Sequence, residues 1–209
     1  MKIAVLGAAG RTGSPLVAEL LGRGHEVSVL VRTPDKLGST RDRVRVVTGS
    51  STDPAALDQV LAGADAVVSA LGPTKKEASL HSETARGLIA AMPRHGVSRF
   101  VGVSGAGIDV PGDQKGARDK IISFMIRTVG GALVADKPAE YREFAASDLD
   151  WTLVRPPRLQ EGPGTGRVAH DAHTPGRSSS IKRADLAMFL VDVVEQGLYS
   201  RQAPFASQG

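Results

Sequence analysis

Twelve residues near the start, KIAVLGAAGRTG (Lys2–Gly13), limit the architecture more than any other part of the sequence. A short apolar strand ends in Gly7, and Gly10 and Gly13 follow at three-residue spacing as a helical pattern begins. Gly7 permits a tight turn. Gly10 lets the backbone come close to a pyrophosphate, where a side chain would collide. Gly13 lets the helix pack closely on the strand. Free N–H groups at the helix start would face the phosphates, and the helix dipole favours their charge. The turn therefore nominates Gly7, Ala9, Gly10, Arg11, Thr12 and Gly13 as dinucleotide contacts. A glycine-rich turn without a ligand is the plainer alternative.

The pattern that follows supports the first reading. Apolar strand-like runs at 26–32, 44–49, 65–72 and 99–105 alternate with helical spacing at 14–24, 53–63 and 79–95. That rhythm predicts a parallel sheet covered on both faces, in one α/β domain. The second half is less regular. It predicts helices at 115–128, 138–147 and 183–196 and a sixth strand at 151–156. Between them lies a Gly-, Pro- and Ser-rich stretch with one short strand around 167–170, read as a substrate-side loop. Substrate-side elements are expected at about 106–136 and 156–180.

The second strand ends in Arg32, where a site built for NAD carries an acid to take the ribose hydroxyls. A guanidinium suits a 2′-phosphate instead, so NADP(H) is the expected cofactor, with Arg11 as a second cation. A solvated surface arginine is the alternative. Ala70, Leu71 and Gly72 close the fourth strand and would face the cofactor. Asp53 stands where it could bond an adenine amino group, or simply cap the helix that begins at Pro54.

Other classes of function find little support. Net charge is +4, but the arginines are scattered and aromatic residues make up only 4% of the chain, too few for base stacking. No nucleic-acid partner is expected. No run approaches the length of a membrane span, and the N-terminal apolar run is too short and glycine-broken for a signal peptide. With no cysteine, disulfide and thiol chemistry are absent, which fits a cytoplasmic protein. His170 and His173 lie three apart in a polar loop and do not make a metal site by themselves. His25, His81 and His95 are read as helix or loop edges.

The segments GAAGRTG, VLVRTPDKL, VVSALGP, FVGVSGAG, SDLDWTLVRPPRL and SSSIKRADLAMFLVDVV, in that order, resemble the atypical short-chain dehydrogenase/reductases with NAD(P)H-binding, NmrA-like domains. The flavin reductase and biliverdin IXβ reductase group is the most similar branch. The resemblance spans nearly the whole chain and implies a Rossmann-like doubly wound sheet. It implies Ser104 beside the nicotinamide, Lys137 near the nicotinamide ribose, and Pro156 with Pro157 at the pocket rim. Gly105 stands where biliverdin IXβ reductase carries a second serine, which favours a flavin over a tetrapyrrole. The Tyr-x-x-x-Lys pair of typical members is missing. Lys137 and Tyr141 occur in the reverse order, and on a helix they would share a face, either as a rearranged catalytic pair or as solvated surface. Two functions are then expected: an NADPH-dependent reductase passing hydride to a planar acceptor such as a flavin, with Ser104, Lys137 and Tyr141 as catalytic candidates, or a non-catalytic NADP(H)-sensing regulator.

Overall fold

A computed structural model describes residues 1–74, 77–116 and 136–209. Six strands form one parallel sheet: β1 (Lys2–Leu6), β2 (Glu26–Val31), β3 (Arg45–Thr48), β4 (Ala66–Ser69), β5 (Arg99–Val103) and β6 (Asp150–Val154). Their order across the sheet is β3-β2-β1-β4-β5-β6. The strands read as nearly continuous apolar runs because both faces are covered. Alternate residues serve the two sides. Ile3, Val5, Val29 and Val68 pack under α1 (Gly13–Gly22) and the late helix Arg183–Glu195. Ala4, Leu6, Leu30 and Val67 pack under α2 (Pro54–Leu61), α3 (Leu80–Ala91) and α4 (Lys137–Ala145). The late helix is α5. This is the expected doubly wound sheet.

Several expected boundaries shift for local reasons. The helix predicted over 79–95 stops at Ala91, and Met92–His95 form a 3-10 turn. Pro93 lacks the N–H an α-helix would use, and Gly96, at φ 69°, ends the turn. A 3-10 stretch, Pro34–Arg43, was missed; Gly38, at φ 55°, breaks it in the middle. The loop region carries more strand than expected. β7 (Arg158–Gln160) pairs parallel with β9 (Ser180–Lys182), and β8 (Val168–Asp171) pairs antiparallel with β10 (Phe205–Gln208). The helix predicted at 115–128 lies outside the described residues, except for Lys115 and Gly116, which are not helical.

Candidate functional site

β1 lies between β2 and β4, so the chain leaves it in opposite directions and its carboxyl end opens into a crevice. Gly7 turns there with φ +75°, and a Cβ on it would lie 2.8 Å from the carbonyl of Ala70 at the end of β4. Only glycine meets both demands. Gly10 N–H donates to Gly7 O at 2.9 Å, and Ser14 N–H donates to Gly10 O at 2.9 Å. A Cβ on Gly13 would overlap the Gly7 carbonyl oxygen, so this glycine sets the close packing of α1 on the turn. No side chain caps the N-terminus of α1, and no acid sits in its first turn. The positive end of a helix with no acid beside it fits an anionic phosphate.

A cleft of about 250 Å³ opens from this turn across the ends of β1 to β4. Gly7, Ala9, Gly10 and Arg32 line it, as do Ala70, Leu71 and Gly72. Sequence reasoning missed Lys36, Ser50 and Glu77 on the same walls. Arg32 Nη1 donates to both carboxylate oxygens of Glu77, at 3.1 and 3.2 Å. The other expected contacts lie outside the cleft lining. Arg11 is exposed, with Nη1 3.6 Å from Glu161 Oε1. The Thr12 hydroxyl accepts from Arg183 Nη1 at 2.8 Å, and Arg183 Nε donates to the same Glu161 oxygen at 2.8 Å. Arg183 thus brings a cation to the glycine turn across 171 residues of sequence, with no local signal. Asp53 caps α2, accepting from Ala55 N–H at 3.0 Å, and does not line the cleft. The helix-cap alternative is the one the geometry shows.

A second cavity of about 260 Å³ lies at the ends of β5 and β6. Ser104, Lys137 and Pro156 line it, with Pro157 and Leu159. Ser104 N–H donates to Val154 O at 2.7 Å, which ties its backbone to β6. Its hydroxyl is buried and has no hydrogen-bond partner among the described residues. An orphaned hydroxyl in a cavity wall fits a bound polar ligand.

Lys137 is buried, which overturns the solvated-surface alternative for it. Its ammonium donates to Val103 O at 2.8 Å, Glu140 Oε2 at 2.9 Å and His81 Nδ1 at 3.0 Å. An ammonium has three N–H donors and no acceptor, so all three are engaged by the protein. It also fixes the His81 tautomer: Nδ1 accepts, so Nε2 carries the proton. His81 lies at the start of α3, the helix edge expected of it, and is a buried member of this cluster. Burial, and then the Lys137 charge, push its pKa down to about 3. Burial raises the Glu140 carboxyl even though Lys137 opposes the shift.

Tyr141 follows one turn later on α4, yet the two side chains part. The ammonium turns to the end of β5, while the phenol ring meets Trp151 edge-on at 5.9 Å between centroids. Tyr141 does not line the second cavity, and burial raises its pKa, making it a weaker acid. The loop histidines also separate. His170 stacks on Phe189 at 4.6 Å and bonds the Tyr199 hydroxyl at 2.6 Å, while His173 sits against Gly112. Among the described residues, no three His, Asp or Glu side chains converge as a metal site.

A glycine turn at a sheet switch point, with an uncapped helix start behind it, defines a Rossmann-fold dinucleotide-binding protein. The chain belongs to the NAD(P)H-binding family, whose sequence profile matches residues 7–197. The Bacillus subtilis protein YwnB is 34% identical over 107 residues, covering 51% of this chain and 48% of that protein. A solved structure from Burkholderia pseudomallei is 33% identical, with a TM-score of 0.79 and 99% of each chain covered. The anaerobilin reductase ChuY of Escherichia coli O157:H7 shares the fold at a TM-score of 0.82 and 20% identity, over 100% of this chain and 97% of that one. Among the described residues, no helix is long and apolar enough to cross a membrane.

Proposed function

We propose that the protein is an NADPH-dependent reductase that passes hydride to a planar acceptor such as a flavin. The observation that carries this reading is the second cavity. Its wall holds an orphaned serine hydroxyl and a proline rim, and no Asp, Glu, His or Tyr is among the described residues that line it. Carbonyl reduction needs an acid placed against the forming alkoxide. A bound nicotinamide supplies hydride, and an acceptor that spreads the arriving charge over its own rings asks little of the protein beyond orientation. The fold shared with the anaerobilin reductase ChuY is consistent with a reductase.

On this reading the N–H groups of the glycine turn hold the pyrophosphate, and Arg32 takes the 2′-phosphate. Ser104 orients the nicotinamide end through its unpartnered hydroxyl. Lys137 anchors the Val103 carbonyl, and so fixes the strand end from which Ser104 projects while keeping positive charge beside the nicotinamide ribose. Pro156 and Pro157 shape the mouth in which the acceptor lies.

The test is NADPH oxidation, followed at the nicotinamide absorbance with and without FMN. The expected result is turnover that depends on FMN. Tight NADPH binding with no oxidation in the presence of flavins or other planar acceptors would identify a non-catalytic sensor instead.

A further inference from the structure

The wall of the first cleft poses a problem for the proposed cofactor. Arg32, the cation at the end of β2, is engaged by a carboxylate. Both oxygens of Glu77 converge on the single nitrogen Nη1, at 3.1 and 3.2 Å. This is not the two-nitrogen fork that gives guanidinium–carboxylate pairs their strength. The pair is also wet: the Arg32 side chain is 62% exposed and that of Glu77 36%. Such a contact is weak and easily exchanged. Glu77 reaches Arg32 across 45 residues, from the segment that follows β4, while Lys36 adds a second cation to the same wall.

We propose that Glu77 is a specificity-determining residue that occupies Arg32 in the free protein and is displaced by the 2′-phosphate of NADPH. The inference rests on the reading of Arg32 as the 2′-phosphate ligand. A phosphate dianion offers the guanidinium more charge than a carboxylate, and it cannot share the wall with Glu77 without repulsion. The carboxylate therefore lowers NADPH affinity and leaves NADH nearly untouched, which narrows the preference that Arg32 and Lys36 would otherwise set.

NADPH and NADH are titrated by nicotinamide fluorescence against the wild type, Glu77→Gln and Arg32→Ala, with circular dichroism to confirm folding. Glu77→Gln is expected to tighten NADPH about two- to fivefold, as removal of an exposed opposing charge allows, with NADH changed less than about 1.5-fold. Raised salt should shrink the gain, because the charges are exposed. Weaker NADH binding in Glu77→Gln would overturn the proposal, since the carboxylate would then be a ribose ligand. Equal or absent effects on the two cofactors would also overturn it. Arg32→Ala tests the underlying reading separately. If it weakens NADPH selectively while Glu77→Gln changes nothing, Arg32 keeps its role and only the displacement is wrong. If Arg32→Ala weakens both cofactors equally, the reading and the proposal fall together.

Discussion

A methyl group added at Gly13 has nowhere to go: it would overlap the Gly7 carbonyl oxygen and lie 2.8 Å from Ala8 Cα, both main-chain atoms. Gly13→Ala should destabilise the fold by about 3 kcal/mol, the upper end for overpacking. The same methyl at Gly10 meets only Gly7 O, at 3.1 Å. Gly10→Ala should keep stability within about 1 kcal/mol yet weaken NADPH binding more than about tenfold. Urea unfolding and a binding titration on the two variants separate the roles; equal stability losses would merge them. In the second cavity, Ser104→Ala should lower FMN-dependent turnover about ten- to a hundredfold, as for one lost positioning contact. Tyr141→Phe should retain most activity. A thousandfold loss in Tyr141→Phe with NADPH binding intact would restore the rearranged Lys137–Tyr141 pair. Gly10 and Gly13 were legible in the sequence because their constraint is local, set by Gly7 and Ala8 within the turn, whereas the approach of Ala70 to Gly7 comes from β4. Glu77, Glu161 and Arg183 were not, because their partners arrive across 45, 22 and 171 residues through the winding of the sheet.

Helix α3 owes its start to a residue outside it. Asp136 precedes α4 but caps α3, accepting from His81 N–H at 2.7 Å and Ser82 N–H at 3.0 Å. Asp136→Ala should cost about 1–2 kcal/mol by urea unfolding, as for a buried cap. The sequence showed the helix at 79–95 by its apolar spacing, but the cap could not be read because it lies on a distant segment. The same junction makes stability depend on pH. In the unfolded chain His81 takes a proton near 6.5; in the folded protein it does so only near about 3. Between those values the unfolded state binds more protons, so His81 draws stability down as the pH falls from 6.5 toward 3. Glu140 acts in the opposite sense. Its folded carboxyl protonates above the ordinary 4.5, so acidification through that window favours the fold, and the gain is complete by 4.5. Below 4.5 His81 acts without that offset. His81→Gln keeps a polar partner for Lys137 and removes the titration. It should flatten the fall in urea midpoint between pH 4.5 and 3.5; a curve of unchanged steepness would remove His81 as its cause.

Arg155 joins three distant parts of the protein. Its guanidinium is fully buried and forks onto Asp113 with both contacts at 2.7 Å. Its Nε donates to Ala203 O at 2.6 Å, and its carbon lies 3.7 Å from the Phe205 ring centre. The end of β6, the segment after β5 and the start of β10 are thereby locked together. Asp113→Ala should cost about 3–5 kcal/mol, because it leaves a buried charge unpaired. Arg155→Lys should not rescue the fold, since an ammonium cannot make the fork. Loss of less than about 1 kcal/mol in either variant, by urea unfolding, would show the lock to be dispensable. From sequence, VRPPRL was visible as a motif. That its first arginine is a structural anchor could not be seen without Asp113, Ala203 and Phe205 beside it. The lock also has an evolutionary consequence. Among the described residues, the first cleft is lined from within 7–80 and the second cavity by 104–108, Lys137, Pro138 and 156–159. Because Arg155 fastens the second set from behind, residues 105–108 and 156–159 can diverge without disturbing the first cleft or Ser104. Descendants of one ancestral gene could therefore keep an inherited grip on the nucleotide while changing the molecule that receives its electrons. An engineer could retarget the protein by grafting those two short stretches around a fixed Ser104 and Lys137.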